Sequence, residues 1–114
     1  MTYTIATNNC FVIDREYPKL ISIPSQFTAT EVDDLENLIQ VIFQEQNFLN
    51  KKIIIDFQQT IFIDNKGLIG LCKILRLAKE KNIELRFIDF SPQVKMVLSM
   101  TGLEHILPME SQKN

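Results

Sequence analysis

An α/β domain is the fold class this sequence predicts, and three observations carry the prediction. Short β-branched runs alternate with longer stretches in which apolar residues recur at helical spacing. The run Lys51–Phe57, KKIIIDF, has the continuous apolar character of a central strand covered on both faces or nearly so. The strand–helix–strand unit from Ile53 to Ile88 then calls for a right-handed crossover joining parallel strands.

In order along the chain, FVID (residues 11–14) reads as a strand, REYP as a turn, and KLISIP (residues 19–24) as a partner strand stopped by proline. A helix follows. Thr30 is a suitable N-cap, Glu31, Asp33 and Asp34 put acid in its first turn, and Val32, Leu35, Leu38, Ile39 and Ile42 recur at helical spacing to about Gln46. After KKIIIDF, QQTIFID leads into a second helical pattern from Leu68 to Lys81, with Leu68, Leu71, Cys72, Leu75 and Ala78 on its core face and Asn82 as its stop. IELRFIDF is the next strand. Ser91 caps the last helix with Pro92 at its first position, Val94, Val97, Leu98 and Thr101 line it, and Gly102 closes it. Only a short polar tail, residues 110–114, stands outside this scheme, so residues 1–114 are expected to form one domain.

Composition narrows the function classes. Hydrophobic residues are 46% and charged residues 23% of 114, ordinary for a globular domain. A net charge of −2 supplies no basic field for nucleic acid or anionic lipid. The N-terminus lacks the basic and apolar regions of a secretion signal, and no apolar run is long enough to span a bilayer. The expected setting is the cytoplasm. Cys10 and Cys72 match neither a redox pair nor a zinc pattern, and His105 has no neighbouring ligand, so neither metal nor cofactor is expected. Cys72, on an apolar stripe, reads as a small core residue.

Asp56 invites comparison with the phosphoacceptor of a receiver domain. That role needs an acidic pair near the N-terminus and a lysine after a late strand; Asp14 and Glu16 are a poor pair, and RFIDF offers no lysine. An aspartate that ends a strand and satisfies loop amides is the simpler reading. Asp56 and Asp64 could be drawn as paired carboxylates, but no nucleophile, third ligand or phosphate loop accompanies them. A small enzyme or phosphotransfer receiver using Asp56 is the alternative from another class. The chain reads instead as a binding module.

The segment FIDNKGLIG, residues 62–70, sets a lysine in what should be the first turn of a helix. The helix dipole disfavours an exposed cation there by about 0.3–1 kcal/mol. Around it, Asp56, Phe62-Ile63-Asp64, Gly67-Leu68, Ser91-Pro92 and Thr101-Gly102-Leu103 together resemble the STAS domain of bacterial anti-sigma factor antagonists, over roughly Cys10 to Met109. The resemblance implies a small mixed sheet of four to five strands with helices packed mainly on one face. It also implies function by binding. Unphosphorylated members capture an anti-sigma factor that is also a serine kinase, and phosphorylation of the serine after the motif aspartate ends the interaction.

The sequence departs from the family at that place. Asn65 stands at the phosphoacceptor position and Lys66 follows it, and neither accepts phosphate. Asparagine caps a helix about as well as serine, and Gly67 leaves the backbone open to close approach. Two functional readings follow: a binder that phosphorylation here cannot switch off, or a helix N-terminus that holds an anionic group with the Lys66 ammonium. At 100° per residue the side opposite the core face carries Lys66, Ile69, Gly70, Lys73 and Leu77. Ile69 and Leu77 either pack beneath a neighbouring segment or form an apolar contact surface ringed by lysines. The predicted partner-binding set is Asp64, Asn65, Lys66, Ile69, Gly70, Lys73 and Leu77. The expected partner is an anti-sigma factor or serine-kinase-like protein. The runner-up is a scaffold or regulatory subunit of another signalling or transport complex.

Overall fold

The computed structural model describes residues 2–7, 10–14, 19–44 and 52–108, the first two segments as strands. Strands β1 (Thr2–Thr7), β2 (Cys10–Asp14) and β3 (Lys19–Ser22) open the chain, followed by a short β4 (Gln26–Phe27) and helix α1 (Ala29–Phe43). Then come β5 (Lys52–Asp56), a short β6 (Phe62–Ile63), α2 (Asn65–Glu80), β7 (Glu84–Ile88), α3 (Pro92–Thr101) and a 3-10 turn at Leu103–His105. The main sheet runs β1-β2-β3-β5-β7, and β4 pairs with β6 in a separate two-stranded sheet. β1, β2 and β3 pair antiparallel, whereas β3, β5 and β7 pair parallel, so the sheet is mixed. The β5–α2–β7 crossover joins parallel neighbours, as the sequence predicts. The expected REYP turn lies outside the described residues, and β1 was not anticipated from the sequence.

One face of the sheet is dry and the other is not. Ile21, Ile53, Ile55, Leu85 and Phe87 are buried beneath the helices, while Leu20, Ile54 and Arg86, aligned across β3, β5 and β7, are only half-buried. Of KKIIIDF, expected to be covered on both faces or nearly so, Lys52–Asp56 is thus fully buried on the helix side and half-buried on the other. Alternation along β5 is hidden because Ile54, on the open face, is as apolar as its neighbours. α1 and α2 pack against each other over the dry face. Lys81 sits 4.6 Å from the centroid of the Phe43 ring, so the C-terminal ends of the two helices lie together.

Two helix starts differ from expectation. α1 is capped at Thr28 rather than Thr30, because the Glu31 carboxylate accepts from both the Thr28 N–H (2.9 Å) and its hydroxyl (2.7 Å). α2 is capped by Asp64, whose carboxylate accepts from the Gly67 N–H at 2.8 Å, so Asn65 is the first helical residue rather than the cap. α3 begins and ends as expected: Ser91 caps it, Pro92 follows, and Gly102 takes a left-handed φ of 78°. Asn82 likewise stops α2 with φ 57°, a conformation asparagine tolerates better than most residues. Cys72 is half-buried at the helix edge rather than in the core, and the buried position is Ile74.

Candidate functional site

The N-terminal turn of α2 rests on a platform built from three segments. Phe27, Phe57, Phe87 and Phe90 pack ring to ring beneath it, with Phe57 5.0 Å from Phe90 and 5.4 Å from Phe27 between centroids. Buried Thr60 donates its hydroxyl to the Pro24 carbonyl at 2.7 Å, and Ser91 donates to the Thr60 carbonyl. These bonds tie the segment before β6 to the one before β4 and to the start of α3. Gly67 then lets α2 press onto β4: a Cβ there would lie 2.0 Å from the Phe27 carbonyl oxygen. The close approach expected at Gly67 is thus made to the protein's own β4.

Above that platform, Lys66, Ile69, Gly70 and Lys73 of α2 and Ala29, Val32 and Asp33 of α1 line a groove of about 340 Å³. Gly70 lets α1 and α2 approach closely at its base: a Cβ there would lie 2.3 Å from a Val32 side-chain carbon. Ile69 stands 60% exposed between the two lysines. Lys66, Lys73 and Asp33 make no ion pair among the described residues. Other large apolar side chains, Met96 and Met100 among them, are exposed as well; Ile69 shares its groove with Lys66 and Lys73.

Of the seven residues predicted to contact a partner, Lys66, Ile69, Gly70 and Lys73 share this groove. Asp64 is the cap of the same helix, outside the groove lining, and exposed Asn65 follows it. Leu77 does not belong: it is half-buried and packed against the core. Gly70 is a floor rather than a contacting side chain. A single-helix projection sets both residues opposite the core, but Gly70 lies against Val32 of α1 and Leu77 packs against the core cluster. The α1 contributions, Ala29, Val32 and Asp33, were missed for the same reason. A glycine in mid-helix was the available signal, since it marks a close approach of another element.

Asp56 behaves as a strand-ending residue. Its carboxylate accepts from the Gln58 N–H at 2.8 Å. Burial raises its pKa above the ordinary value; the Gln58 amide opposes this and the charge of Asp89 adds to it. Asp64 caps α2 through its own carboxylate, so the two aspartates serve different local structures. Among the described residues no cluster of histidine, cysteine and acid could hold a metal ion, and no helix is long and apolar enough to cross a membrane.

The STAS domain family model matches residues 12–113 of the chain. Among curated proteins, none matches it by sequence. Solved structures do. The unphosphorylated form of the anti-sigma factor antagonist SpoIIAA is 16% identical, with a TM-score of 0.63 over 98% of this chain and 90% of that one. An anti-sigma-factor antagonist (STAS) domain protein from Planctomyces limnophilus is 22% identical, with a TM-score of 0.63 over 83% of each chain. SLC26A9 is 14% identical, with a TM-score of 0.63 over 92% of this chain and 20% of that one.

Proposed function

This chain belongs to the STAS domain family, and we propose that it is a regulatory protein-binding module of the anti-sigma factor antagonist type. It acts in the cytoplasm by binding, without catalysis, and its partner is an anti-sigma factor or serine-kinase-like protein. The partner seats on the groove lined by Lys66, Ile69, Gly70 and Lys73 with Ala29, Val32 and Asp33. The observation that carries this reading is the exposed Ile69 between two lysines that make no ion pair among the described residues, on the helix that opens at the family's motif aspartate.

The usual phosphoserine switch is absent from that helix. Asn65 and Lys66 have no hydroxyl; Thr60 is fully buried and bonded to Pro24, and Ser91 is buried as the cap of α3. A second reading, a regulatory segment of a larger assembly, draws on SLC26A9, where the matched fold is one fifth of the chain.

Capture from the native cytoplasm tests the first reading. The wild-type protein should retain an anti-sigma or kinase-like protein that the Ile69→Asp variant does not. Incubation of that partner with ATP should leave the intact mass unchanged. Stoichiometric phosphate at Thr60 would show that the switch has moved rather than vanished, and equal capture by both proteins would refute the groove.

A further inference from the structure

The groove has an ordered pattern of charge. Lys66 and Lys73 lie seven positions apart on α2, which is two helical turns and about 10.5 Å of axial rise. Ile69 stands between them, and Asp33 occupies the opposite rim on α1. None of these three charges is neutralised by an ion pair among the described residues. Val32 and Gly70 pack closely at the base of the groove, where Gly70 adds no side chain of its own. A groove between two packed helices is a seat for a third, with apolar residues at helical spacing as anchors.

Resting on the reading that this groove is the partner's seat, we propose that it takes an amphipathic helix of the partner protein with a defined charge pattern. Two carboxylates spaced two turns apart meet Lys66 and Lys73, an apolar side chain between them packs over Val32, Ile69 and Gly70, and a cation on the other flank meets Asp33. The apolar contact supplies most of the attraction. The charges fix register and direction, because rim ion pairs contribute little energy but a like-charge juxtaposition is penalised. A helix docked backwards would set its cation against Lys66 and Lys73.

Two synthetic peptides of about twenty residues, long and alanine-rich enough to favour the helix in isolation, provide the test. One carries glutamates at two-turn spacing, a leucine between them and a lysine on the opposite flank; the reversed one has lysine in place of both glutamates and keeps the flanking lysine, so that either direction of docking sets a cation against Lys66 and Lys73. Titration into isotope-labelled protein, followed by amide chemical shifts, should move residues 29–33 and 65–73 with the acidic peptide only. Lys73→Glu should weaken that peptide about tenfold and strengthen the reversed one. Equal shifts with both peptides, or none with the acidic one, would overturn the charge pattern. The same shifts produced by inorganic phosphate alone would overturn it too, by showing a simple anion site. Failure of the groove itself is a separate result, read from capture of the native partner by the Ile69→Asp variant.

Discussion

A methyl group on Gly67 would lie 2.0 Å from the Phe27 carbonyl oxygen, closer than any atom pair can approach without backbone movement. Gly70 meets side-chain atoms of Val32 instead, which can turn aside in part. Gly67→Ala should therefore lower the melting temperature more than Gly70→Ala, with a cost on the order of 1–3 kcal/mol for overpacking. Asp56 offers a second test at this scale. Its pKa is raised by burial, with the Asp89 charge adding, so the folded state holds its proton more tightly than the unfolded chain does. Stability contributed by that proton is present below the ordinary carboxylate range and lost as pH rises through the folded pKa. Asp56→Asn keeps an oxygen for the Gln58 N–H and should melt higher than wild type at pH 7, with the gain vanishing in acid. The role of Asp56 was legible in the sequence because strand-ending aspartates have a local job. That of Gly67 was legible only as a need for close approach, since nothing in the sequence says what approaches.

Helix α1 shows how a cap competes with its neighbours for an assignment. Thr28 and Thr30 are both good N-caps, and only Thr28 has a glutamate three positions on, the reciprocal pattern that settles the start. Burial works against the Glu31 charge, yet the bonds from Thr28 outweigh it and hold its pKa below the usual value. That sign is opposite to Asp56: the stability is present above the unfolded pKa and lost as pH falls through the folded one. Glu31→Gln should cost more stability at pH 7 than at pH 3, measured by thermal melting at both. In α2 the apolar period revealed Leu68, Leu71 and Ala78 as core, and all three are buried. The period could not reveal where α1 approaches α2, which is why Val32 was overlooked as part of the groove and why Leu77, packed against the core, was set on the open side. Two substitutions two positions apart separate core from surface. Leu71→Asp should unfold the domain, whereas Ile69→Asp should melt within about 0.5 kcal/mol of wild type.

At the scale of the molecule, the alternation of strands and helices identified the α/β class, and the apolar β5 run located a strand between parallel neighbours. Which face of the sheet stays open was not legible, because Ile54 and Leu20 are apolar on that face as well. Chemistry at the ends of the parallel strands is the rival to a binding role. Acetyl phosphate with magnesium should leave Asp56 unlabelled, and a labelled aspartate in the fragment spectrum would favour the receiver alternative. The groove also has rivals for partner binding in the exposed Met96 and Met100 of α3 and in Ile61 and Phe62 before α2. Calorimetric titration of the captured partner into wild type, Ile69→Asp and Met100→Asp decides among these surfaces. The α1–α2 groove predicts that Ile69→Asp loses measurable affinity while melting normally and that Met100→Asp binds like wild type; unchanged affinity of a folded Ile69→Asp protein would contradict it.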